Sequence, residues 1–453
     1  MGKARWLLGI LCLAGCTTGP PDIHVLLTHP SGTVKLPAGI IEISREIKIP
    51  EQSHDLVIQG APEGTTLRVS AQFRGRAILS VRSSSNVTLR NLRFDGNRAV
   101  LEKPVELPPS DVPFAAFYND NGILAENVDS LTITRVNFSN ITNYAVLVSR
   151  CRGVLIDRIK VTDSGSRNKA GRNNASGGVI LEEGTTQFVV RDSVFRNIRG
   201  NGVWTHSLYT SPRNRDGLIK ENRFYGIARD AIQIGHAAHI RVVGNTGKQI
   251  GYPIPEVDVE GGGVPVAIDT AGNVDHTAYL DNTFHEINGK CIDLDGFHDG
   301  EVRHNTCINR GKAEDYPFGH FGIVMNNANP DMRSTNIVIA DNVIDGAKFG
   351  GIFVIGTRHR ITGNRLLHLN MAHCNENAAK FGCAHFPGEP DLLQSGIYLG
   401  QRAERPSLSL NNVVANNRIS GFKMSRRCIA QAPKIPKGTN RFRNNRCSDT
   451  EVR

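Results

Sequence analysis

The chain repeats a five-residue pattern in which a small or aliphatic residue precedes two aliphatic residues separated by one other residue. The copies between residues 122 and 400 are GILAE, AVLVS, GVILE, GVWTH, AIQIG, PVAID, CIDLD, GIVMN, GIFVI and GIYLG. Alternate residues of a β-strand point to opposite faces, so the aliphatic pair would face a core and the residues beside it would face outward. The pattern therefore predicts a series of short strands.

A second pattern, aliphatic-x-aliphatic-x-x-Asn, follows most copies of the first. Its asparagines stand at positions 91, 222, 245, 282, 305, 342, 364, 417 and 445, and Arg135, Arg158 and Asp192 take the same place in earlier units. Where no loop is inserted, successive asparagines such as Asn222 and Asn245 stand 22 or 23 residues apart. Repeats of this length are typical of solenoids in which each strand pairs in parallel with its copy one rung away, about 4.8 Å distant. Asparagine at a fixed turn tolerates left-handed backbone and can form a ladder of amide hydrogen bonds. A leucine-rich horseshoe and a β-propeller fit less well, because no LxxLxL motif recurs and propeller blades are longer.

The segment GTVKLPAGIIEISREIKIP, residues 32–50, resembles the N-terminal cap of right-handed parallel β-helix proteins. Together with the repeats, residues 32–447 resemble the pectin-lyase-like clan. The resemblance implies an all-β fold, a single right-handed parallel β-helix, with a cap and first coils over residues 32–85 and the helix with its C-terminal cap over residues 86–453. The clan includes polysaccharide lyases, glycoside hydrolases, uronan epimerases, phage tailspikes and adhesins. The catalytic motifs of its polygalacturonases and mannuronan epimerases are absent from this sequence.

The first residues have the composition of an export signal. Lys3 and Arg5 precede a short apolar run that ends in Leu13-Ala14-Gly15-Cys16, which resembles a bacterial lipoprotein cleavage box. The resemblance implies that residues 1–16 are a lipoprotein signal peptide, that Cys16 is the lipidation site, and that residues 17–31 are a tether. The exported protein would then be anchored by lipid in the outer membrane, on the periplasmic face or the cell surface. An ordinary secretory signal is the alternative.

Export would permit disulfide bonds. Nine cysteines are present, of which Cys12 and Cys16 belong to the predicted signal. Among the remaining seven, the pair Cys374–Cys383 is favoured by its position in one loop, followed by Cys428–Cys447 and then Cys291–Cys307. An odd number leaves at least one thiol free. A zinc site is the competing interpretation, but the sequence contains no CxxC pair.

The formal net charge of +10 favours acidic partners. Export and the lack of interleaved aromatic and basic residues argue against nucleic acid, so an acidic, uronate-type polysaccharide is the expected partner. Arg167, Lys169 and Arg172 lie in an inserted loop and are candidate contacts for uronate or sulfate groups. The alternative for this loop is ordinary solvated charge. Oligomeric state is left open.

The strongest candidate chemistry lies in PVAID and CIDLD. With the two segments aligned end to end, Asp269 stands beside Asp295 on the next rung, and Asp293 shares the outward face. Close carboxylates raise one another's pKa unless a cation intervenes, so the three could provide a general acid and a base, or bind calcium. We expect Asp269, Asp293 and Asp295 to converge in a solvent-open groove, with His298 at its edge and either calcium or no cofactor. Residues 252–263 are the loop expected to cap the groove or add ligands to it.

Other outward positions extend this candidate site. His206 is a further candidate base or proton shuttle, and His236 is a weaker one. Trp204 could stack on a sugar ring or pack under a loop, and Glu182 is a candidate substrate contact. Outward polar residues of this kind are also common on solvated sheet faces. The sequence therefore predicts a carbohydrate-active enzyme that cleaves an acidic polysaccharide, with hydrolysis favoured over β-elimination. The alternative is a non-catalytic β-helix that binds glycan or has a structural role in the cell envelope.

Overall fold

The computed structural model describes residues 22–260, 263–325, 334–374, 383, 388–401 and 407–452. These residues form a parallel β-helix in which all the paired strands run parallel and belong to one continuous sheet network. The cap and first coils contain α1 (Ile23–Leu26), β1 (Thr33–Lys35), β2 (Gly39–Lys48), β3 (His54–Gln59), β4 (Thr65–Arg82), β5 (Ser85–Arg90), β6 (Leu92–Asp95), α2 (Arg98–Leu101) and α3 (Phe114–Phe117). The predicted all-β fold class is thus confirmed.

Regular coils follow, most of them built from three short strands. The first group contains β7 (Asn121–Glu126), β8 (Asp129–Thr134), β9 (Asn137–Ser139), β10 (Val146–Ser149), β11 (Arg152–Asp157), β12 (Lys160–Ser164), β13 (Val179–Glu182), β14 (Thr186–Arg191), β15 (Val194–Ile198), β16 (Val203–His206), β17 (Asn214–Lys220) and β18 (Arg223–Ile227). The second contains β19 (Ile232–Val243), β20 (Thr246–Ile250), β21 (Val266–Asp275), β22 (Ala278–Leu280), β23 (Thr283–Ile287), β24 (Lys290–Asp293), β25 (Asp295–His298), β26 (Glu301–Arg303) and β27 (Thr306–Ile308).

The C-terminal coils contain β28 (Ile323–Val324), β29 (Val338–Ala340), β30 (Val343–Asp345), β31 (Ile352–Val354), β32 (Arg360–Thr362), β33 (Arg365–Leu369), β34 (Ile397–Leu399), β35 (Val413–Ala415), β36 (Arg418–Gly421), α4 (Met424–Arg427), β37 (Ile429–Gln431), β38 (Arg441–Arg443) and β39 (Arg446–Asp449). Two short 3-10 turns, Ile254–Glu256 and Ala313–Asp315, lie in the longer connections.

The three strands of each coil give the helix three faces. Strand β10 pairs with β13, β11 with β14 and β12 with β15, and later coils continue these three series. The first face carries the five-residue pattern, and its aliphatic pairs are buried inside the helix, as predicted. Aromatic side chains stack inside the third face, where the rings of Phe195 and Phe224 are 5.1 Å apart. The core is therefore a set of stacked columns rather than one central cluster.

The predicted asparagine ladder is present from Asn222 to Asn445. In each step the side-chain amide of one asparagine donates to the Oδ1 atom of the next, at distances between 2.9 and 3.0 Å. The left-handed residue, however, is the one before each ladder position, as at Glu221 and Asp281. In the coils before Asn222, the residues Asn91, Arg135, Arg158 and Asp192 also have left-handed backbone, so they stand one place before the ladder column. The expectation that one residue fills both roles was therefore wrong.

Three disulfides join the cysteine pairs that the sequence favoured. The Cα atoms are 5.2 Å apart in Cys374–Cys383, 5.8 Å in Cys428–Cys447 and 6.1 Å in Cys291–Cys307. Cys151 is a free, buried thiol. All three predicted pairings are confirmed, as is the presence of an unpaired cysteine.

The N-terminal end of the described chain begins inside the predicted tether. Helix α1 lies there, and Ile23 and Leu27 are buried against the first coils, so this part of the tether is packed onto the fold. The predicted signal peptide and Cys16 lie outside the described residues. Among the helices that are described, none is both long enough and apolar enough to span a membrane.

Candidate functional site: buried carboxylates on the first face

The outward side chains of the first face form one continuous column. Strand pairing places Gln233 beside Trp204 and Asp269 beside Gln233. Ile268 pairs with Ile292, so Asp269 and Asp293 lie side by side on neighbouring rungs. The column runs through Leu124, Leu147, Ile180, Trp204, Gln233, Asp269, Asp293, Val324, Phe353 and Tyr398. Its polar part is thus confined to three consecutive rungs.

The predicted neighbour of Asp269 was wrong by two residues. Ala271, rather than Asp269, lies opposite Asp295. A shift of two residues leaves every side chain on its predicted face, so the hydrophobic pattern cannot distinguish the two alignments. The three predicted carboxylates nevertheless act on one cation, because the charges of Asp293, Asp295 and Asp269 all favour the charged form of Lys290.

Lys290 and Arg229 place two cations among these carboxylates. The Lys290 ammonium forms an ion pair with Asp293, and the side chains are 13% and 6% exposed. The Arg229 guanidinium lies 3.5 Å from a carboxylate oxygen of Asp230, whose other oxygen accepts a hydrogen bond from the Val266 backbone. We call Arg229, Asp230, Asp269, Lys290 and Asp293 the carboxylate cluster. Lys290 thus supplies a cation to Asp293, while the choice between calcium and no cofactor stays a prediction.

Burial governs the protonation of the cluster. Burial, followed by the negative charges of Asp230 and Asp293, raises the pKa of Asp269 well above its ordinary value. Burial also raises the pKa of Asp230 to about 6. Burial lowers the pKa of Lys290, but the attraction of the carboxylates outweighs it, so the pKa lies above its usual value. The site therefore combines a carboxyl group whose burial favours the protonated form with an ion-paired carboxylate.

The site is not the solvent-open groove that the sequence predicted. Asp230, Asp269 and Asp293 are only 3%, 8% and 4% exposed. Several buried polar atoms beside them have no hydrogen-bond partner within the part of the chain that the structure describes: Asp293 Oδ1, Arg229 Nη1, Trp204 Nε1 and His320 Nδ1. Such atoms are uncommon in folded proteins, and a water molecule, an ion or a bound ligand can complete their hydrogen bonds.

Trp204 and Glu182 contact a segment of the chain that covers them, so neither lies on an open surface. The segment from Val105 to Tyr118 packs on the apolar rungs of the column through Val105, Phe114, Ala115, Phe117 and Tyr118, and the ring of Phe114 is 4.8 Å from that of Trp204. Both carboxylate oxygens of Glu182 accept backbone N–H groups, from Phe114 and Ala115, at 2.8 Å. Burial raises the pKa of Glu182 to about 7. The predicted role of Glu182 as a substrate contact is therefore replaced by that of an anchor for this segment.

The three candidate histidines lie away from the cluster. His206 packs against Phe114, and burial lowers its pKa to about 4. His236 is buried beneath the ring of Tyr209, 4.6 Å away. His298 was predicted at the edge of the acidic site, but it contacts Asp299 at 2.9 Å and Asn273 at 3.0 Å. That prediction was wrong because β25 leads away from the first face and places His298 opposite Asp275 of β21.

The inserted basic loop forms ion pairs with an acidic loop of the same chain. Arg167 forms an ion pair with Glu256, and Arg172 lies 3.8 Å from Asp258. Lys169 is exposed, and its backbone N–H donates to Glu106. The described part of the loop over residues 252–263 therefore docks on the basic loop. In this arrangement Arg167 and Arg172 neutralise Glu256 and Asp258, in place of their predicted contact with substrate.

Sequence reasoning did not single out Arg229, Asp230 or Lys290. A signal for them exists, because RDAIQIG and GKCIDLD both place a charged residue two positions before the first isoleucine of the buried aliphatic pair. Whether such a charged residue belongs to a site depends on the neighbouring rung, which supplies the opposite charge. His320 was also passed over, although burial, followed by the charges of Lys290 and Lys348, lowers its pKa to about 3.

Residues 76–274 match the family model for the right handed beta helix region. Among solved structures, DFA-IIIase from Arthrobacter chlorophenolicus A6 in complex with GF2 is similar, with a TM-score of 0.52 and 13% identity over 90% of this chain and 88% of that one. The surface adhesin PfbA of Streptococcus pneumoniae gives a TM-score of 0.52 and 12% identity over 75% of this chain and 84% of the adhesin. No curated protein sequence matches the chain.

The catalytic domain of a GH87 alpha-1,3-glucanase in complex with nigerose is also similar, with a TM-score of 0.50 and 13% identity. The similarity covers 74% of this chain and 60% of the glucanase domain. At such identities these likenesses concern the fold. The predicted right-handed parallel β-helix and the resemblance to proteins with this fold are confirmed.

Proposed function

We propose that this protein is a carbohydrate-active enzyme, a hydrolase of an acidic polysaccharide, with its catalytic centre at Asp269 and Asp293. One observation carries the proposal: neighbouring rungs bring together a carboxyl group with a strongly raised pKa and an ion-paired carboxylate. Two carboxyl groups whose environments favour different protonation states are the requirement of glycoside hydrolysis.

Each carboxyl group has a distinct role in this proposal. The protonated Asp269 donates its proton to the glycosidic oxygen as the bond to the anomeric carbon breaks. The Oδ1 atom of Asp293, which has no partner among the described residues, forms a bond to that carbon. Water then displaces Asp293 and returns a proton to Asp269. Neighbouring rungs are about 4.8 Å apart, which suits the ~5–5.5 Å carboxyl separation of retaining enzymes.

The cations support an acidic substrate. Arg229 is largely buried and has an unpartnered Nη1 donor, and Lys290 contributes a second positive charge next to the carboxylates. A sugar carboxylate could bind between them by charge-assisted hydrogen bonds. Hydrolysis is favoured over β-elimination because the cluster holds three carboxyl groups and only two basic side chains, Arg229 and Lys290. The sugars named with DFA-IIIase and the glucanase lend support to a carbohydrate ligand.

The test is turnover by the purified protein and two matched variants. Wild type is incubated with a panel of uronans and neutral glucans, and both reducing ends and the ultraviolet absorbance of unsaturated uronates are followed. Asp269→Asn removes the proposed acid, while Asp281→Asn makes the same change at an exposed left-handed turn. We expect new reducing ends without unsaturated product, loss of at least a hundredfold in rate for Asp269→Asn, and none for Asp281→Asn. Equal rates in all three proteins would exclude the assignment.

A non-catalytic glycan-binding role is the second candidate. It is favoured by the low exposure of the cluster and by the segment that covers the adjacent rungs. The fold likeness to the adhesin PfbA is compatible with it. Binding of a uronan in isothermal titration, unchanged in Asp269→Asn and without any cleavage, would support this role over hydrolysis.

We also propose that the protein is exported and anchored through lipid on Cys16, by the lipobox-like sequence that precedes it. Replacement of Cys16 by Ser should move the protein from the membrane fraction to the soluble fraction. Persistence of the variant in the membrane fraction would contradict the proposed anchor.

A further inference from the structure

A second group of ionisable side chains lies at the corner between the first and second faces. Strand pairing places Ala238 beside Asp275, so the residues that follow them, His239 and His276, occupy the same turn position on neighbouring rungs. Their rings are stacked with centroids 5.1 Å apart and 7° between their planes. One ligand atom from each of His239, Asp275 and His276 lies within 4.8 Å of the others.

Asp275 is held so that one oxygen faces the histidines. Its Oδ1 atom lies 3.0 Å from Nδ1 of His276, and its Oδ2 atom accepts a hydrogen bond from Arg213 at 2.8 Å. Carboxylates that bind metals are commonly oriented in this way by a second hydrogen-bond partner. Arg213 is itself only partly exposed and also contacts Asn273, which fixes the position of its guanidinium group.

A cavity of about 440 Å³ opens beside this group and is lined by His239, Arg213, Arg215 and Pro212 among others. Its volume lies within the range of small-molecule sites. A ligand in this cavity would meet His239 on one side and two guanidinium groups on another. The cavity therefore gives the group an open side with positive charge around it.

We propose that His239, Asp275 and His276 bind a divalent transition-metal ion of the zinc class, with the remaining coordination position open to the arginine-lined cavity. Two imidazoles and one carboxylate are a ligand set that zinc accepts in sites that also hold water or substrate. An anion in the cavity could bridge the metal and Arg215. This site does not depend on the function proposed for the carboxylate cluster.

The other compact group of potential ligands, Glu182, Glu183 and His206, is a weaker candidate. Both carboxylate oxygens of Glu182 already accept backbone N–H groups, and Glu183 accepts one from Leu208. An ion there would have to displace the covering segment. Within the described parts of the chain nothing covers the His239 group in this way, since His239 and His276 are exposed.

The experiment measures Zn²⁺ binding to the purified protein, without a polyhistidine tag, by isothermal titration calorimetry. His276→Asn removes one ligand, and His304→Asn is the matched control, because His304 is also an exposed histidine with left-handed backbone. Asparagine tolerates that backbone conformation, so both variants should fold. Co²⁺ serves as a spectroscopic probe of the same ligands, and circular dichroism checks that each variant is folded.

We expect one Zn²⁺ per chain in wild type and in His304→Asn, and at least tenfold weaker affinity in His276→Asn. The visible absorption of bound Co²⁺ should be lost in His276→Asn alone. His239→Asn replaces this variant if His276→Asn does not fold. Absence of Zn²⁺ binding by wild type, or equal affinity in wild type and the ligand variant, would overturn the proposal. Equal weakening in His304→Asn would overturn it as well.

Discussion

Lys290 is the residue whose replacement tests the electrostatics of the carboxylate cluster most directly. Its ammonium group pairs with Asp293 and is also attracted by Asp295 and Asp269. Lys290→Met keeps most of the apolar stem and removes the charge. The variant therefore leaves several buried carboxyl groups with Arg229 as their remaining nearby cation.

The expected cost follows from the burial of the pair. Removal of one partner of a buried ion pair typically destabilises a protein by about 3–5 kcal/mol. The lower end applies here, because the raised pKa of Asp269 favours its neutral form and so reduces the uncompensated charge. We therefore expect Lys290→Met to lower the free energy of unfolding by about 3 kcal/mol at neutral pH. In the double variant Lys290→Met/Asp293→Asn, most of this loss should be recovered, because the unpaired charge is gone.

The loss should also depend on pH with a definite sign. Without Lys290, whose charge lowers the pKa values of Asp269 and Asp230, these folded-state pKa values rise further above those of the unfolded chain. Carboxyl groups with raised pKa values destabilise the fold above their unfolded pKa, and protonation relieves this as the pH falls. The difference between wild type and Lys290→Met should therefore be larger at pH 8 than at pH 5.

Urea denaturation at both pH values, followed by circular dichroism, provides the measurement. Lys248→Met is the control, since Lys248 is an exposed lysine on the third face and its replacement should change the free energy of unfolding by less than about 0.5 kcal/mol. A loss below about 1 kcal/mol for Lys290→Met, equal at pH 5 and pH 8, would refute the electrostatic account of the cluster.

Two further predictions concern the scaffold. Asn305→Ala should lower the free energy of unfolding by about 3–4 kcal/mol, because the buried amide of Asn305 takes part in hydrogen bonds to Asn282, Asn342 and a backbone carbonyl. Asn445 is the half-buried end of the ladder, so Asn445→Ala should cost less than half as much. Similar losses for the two variants in urea denaturation would contradict this prediction. Burial raises the pKa of Glu182 to about 7, so the contribution of Glu182 to stability should fall as the pH rises from about 4.5 to about 7. Glu182→Gln should therefore flatten this part of the plot of melting temperature against pH, and an unchanged plot would contradict the raised pKa.

The parts of the fold that could be predicted depend on short-range periodicity. The alternation in GVILE or AIQIG determines which residues face inward, and the recurring asparagine marks one turn in every coil. The disulfides follow from cysteines close together in sequence, such as Cys374 and Cys383. Each of these inferences needs only the order of residues within a coil or between a coil and its neighbour.

The details of the candidate site could not be predicted in the same way. Asp269 stands beside Asp293 because Ile268 pairs with Ile292, and an alignment shifted by two residues would bury the same aliphatic face. Likewise, nothing in the local pattern around Trp204 indicates that Phe114, far away in the sequence, covers it. Register between rungs and contacts from inserted segments are tertiary properties, and the site depends on both.

The unpartnered polar atoms of the first face bear on the choice between a structural and a binding role for the carboxylate cluster. Each buried donor or acceptor without a partner costs about 1–3 kcal/mol, and Asp293 Oδ1, Arg229 Nη1 and Trp204 Nε1 lie on or beside three consecutive rungs. If the network were selected only for stability, these atoms would be paired with one another or apolar residues would stand in their place. Val324 is such an apolar residue, at the position of Asp293 on the next rung. Their cost is explained if a polar ligand completes their hydrogen bonds, and sugar hydroxyl and carboxylate groups can donate and accept in the required way. The same reasoning separates this cluster from the ladder asparagines, whose amides are satisfied within the fold.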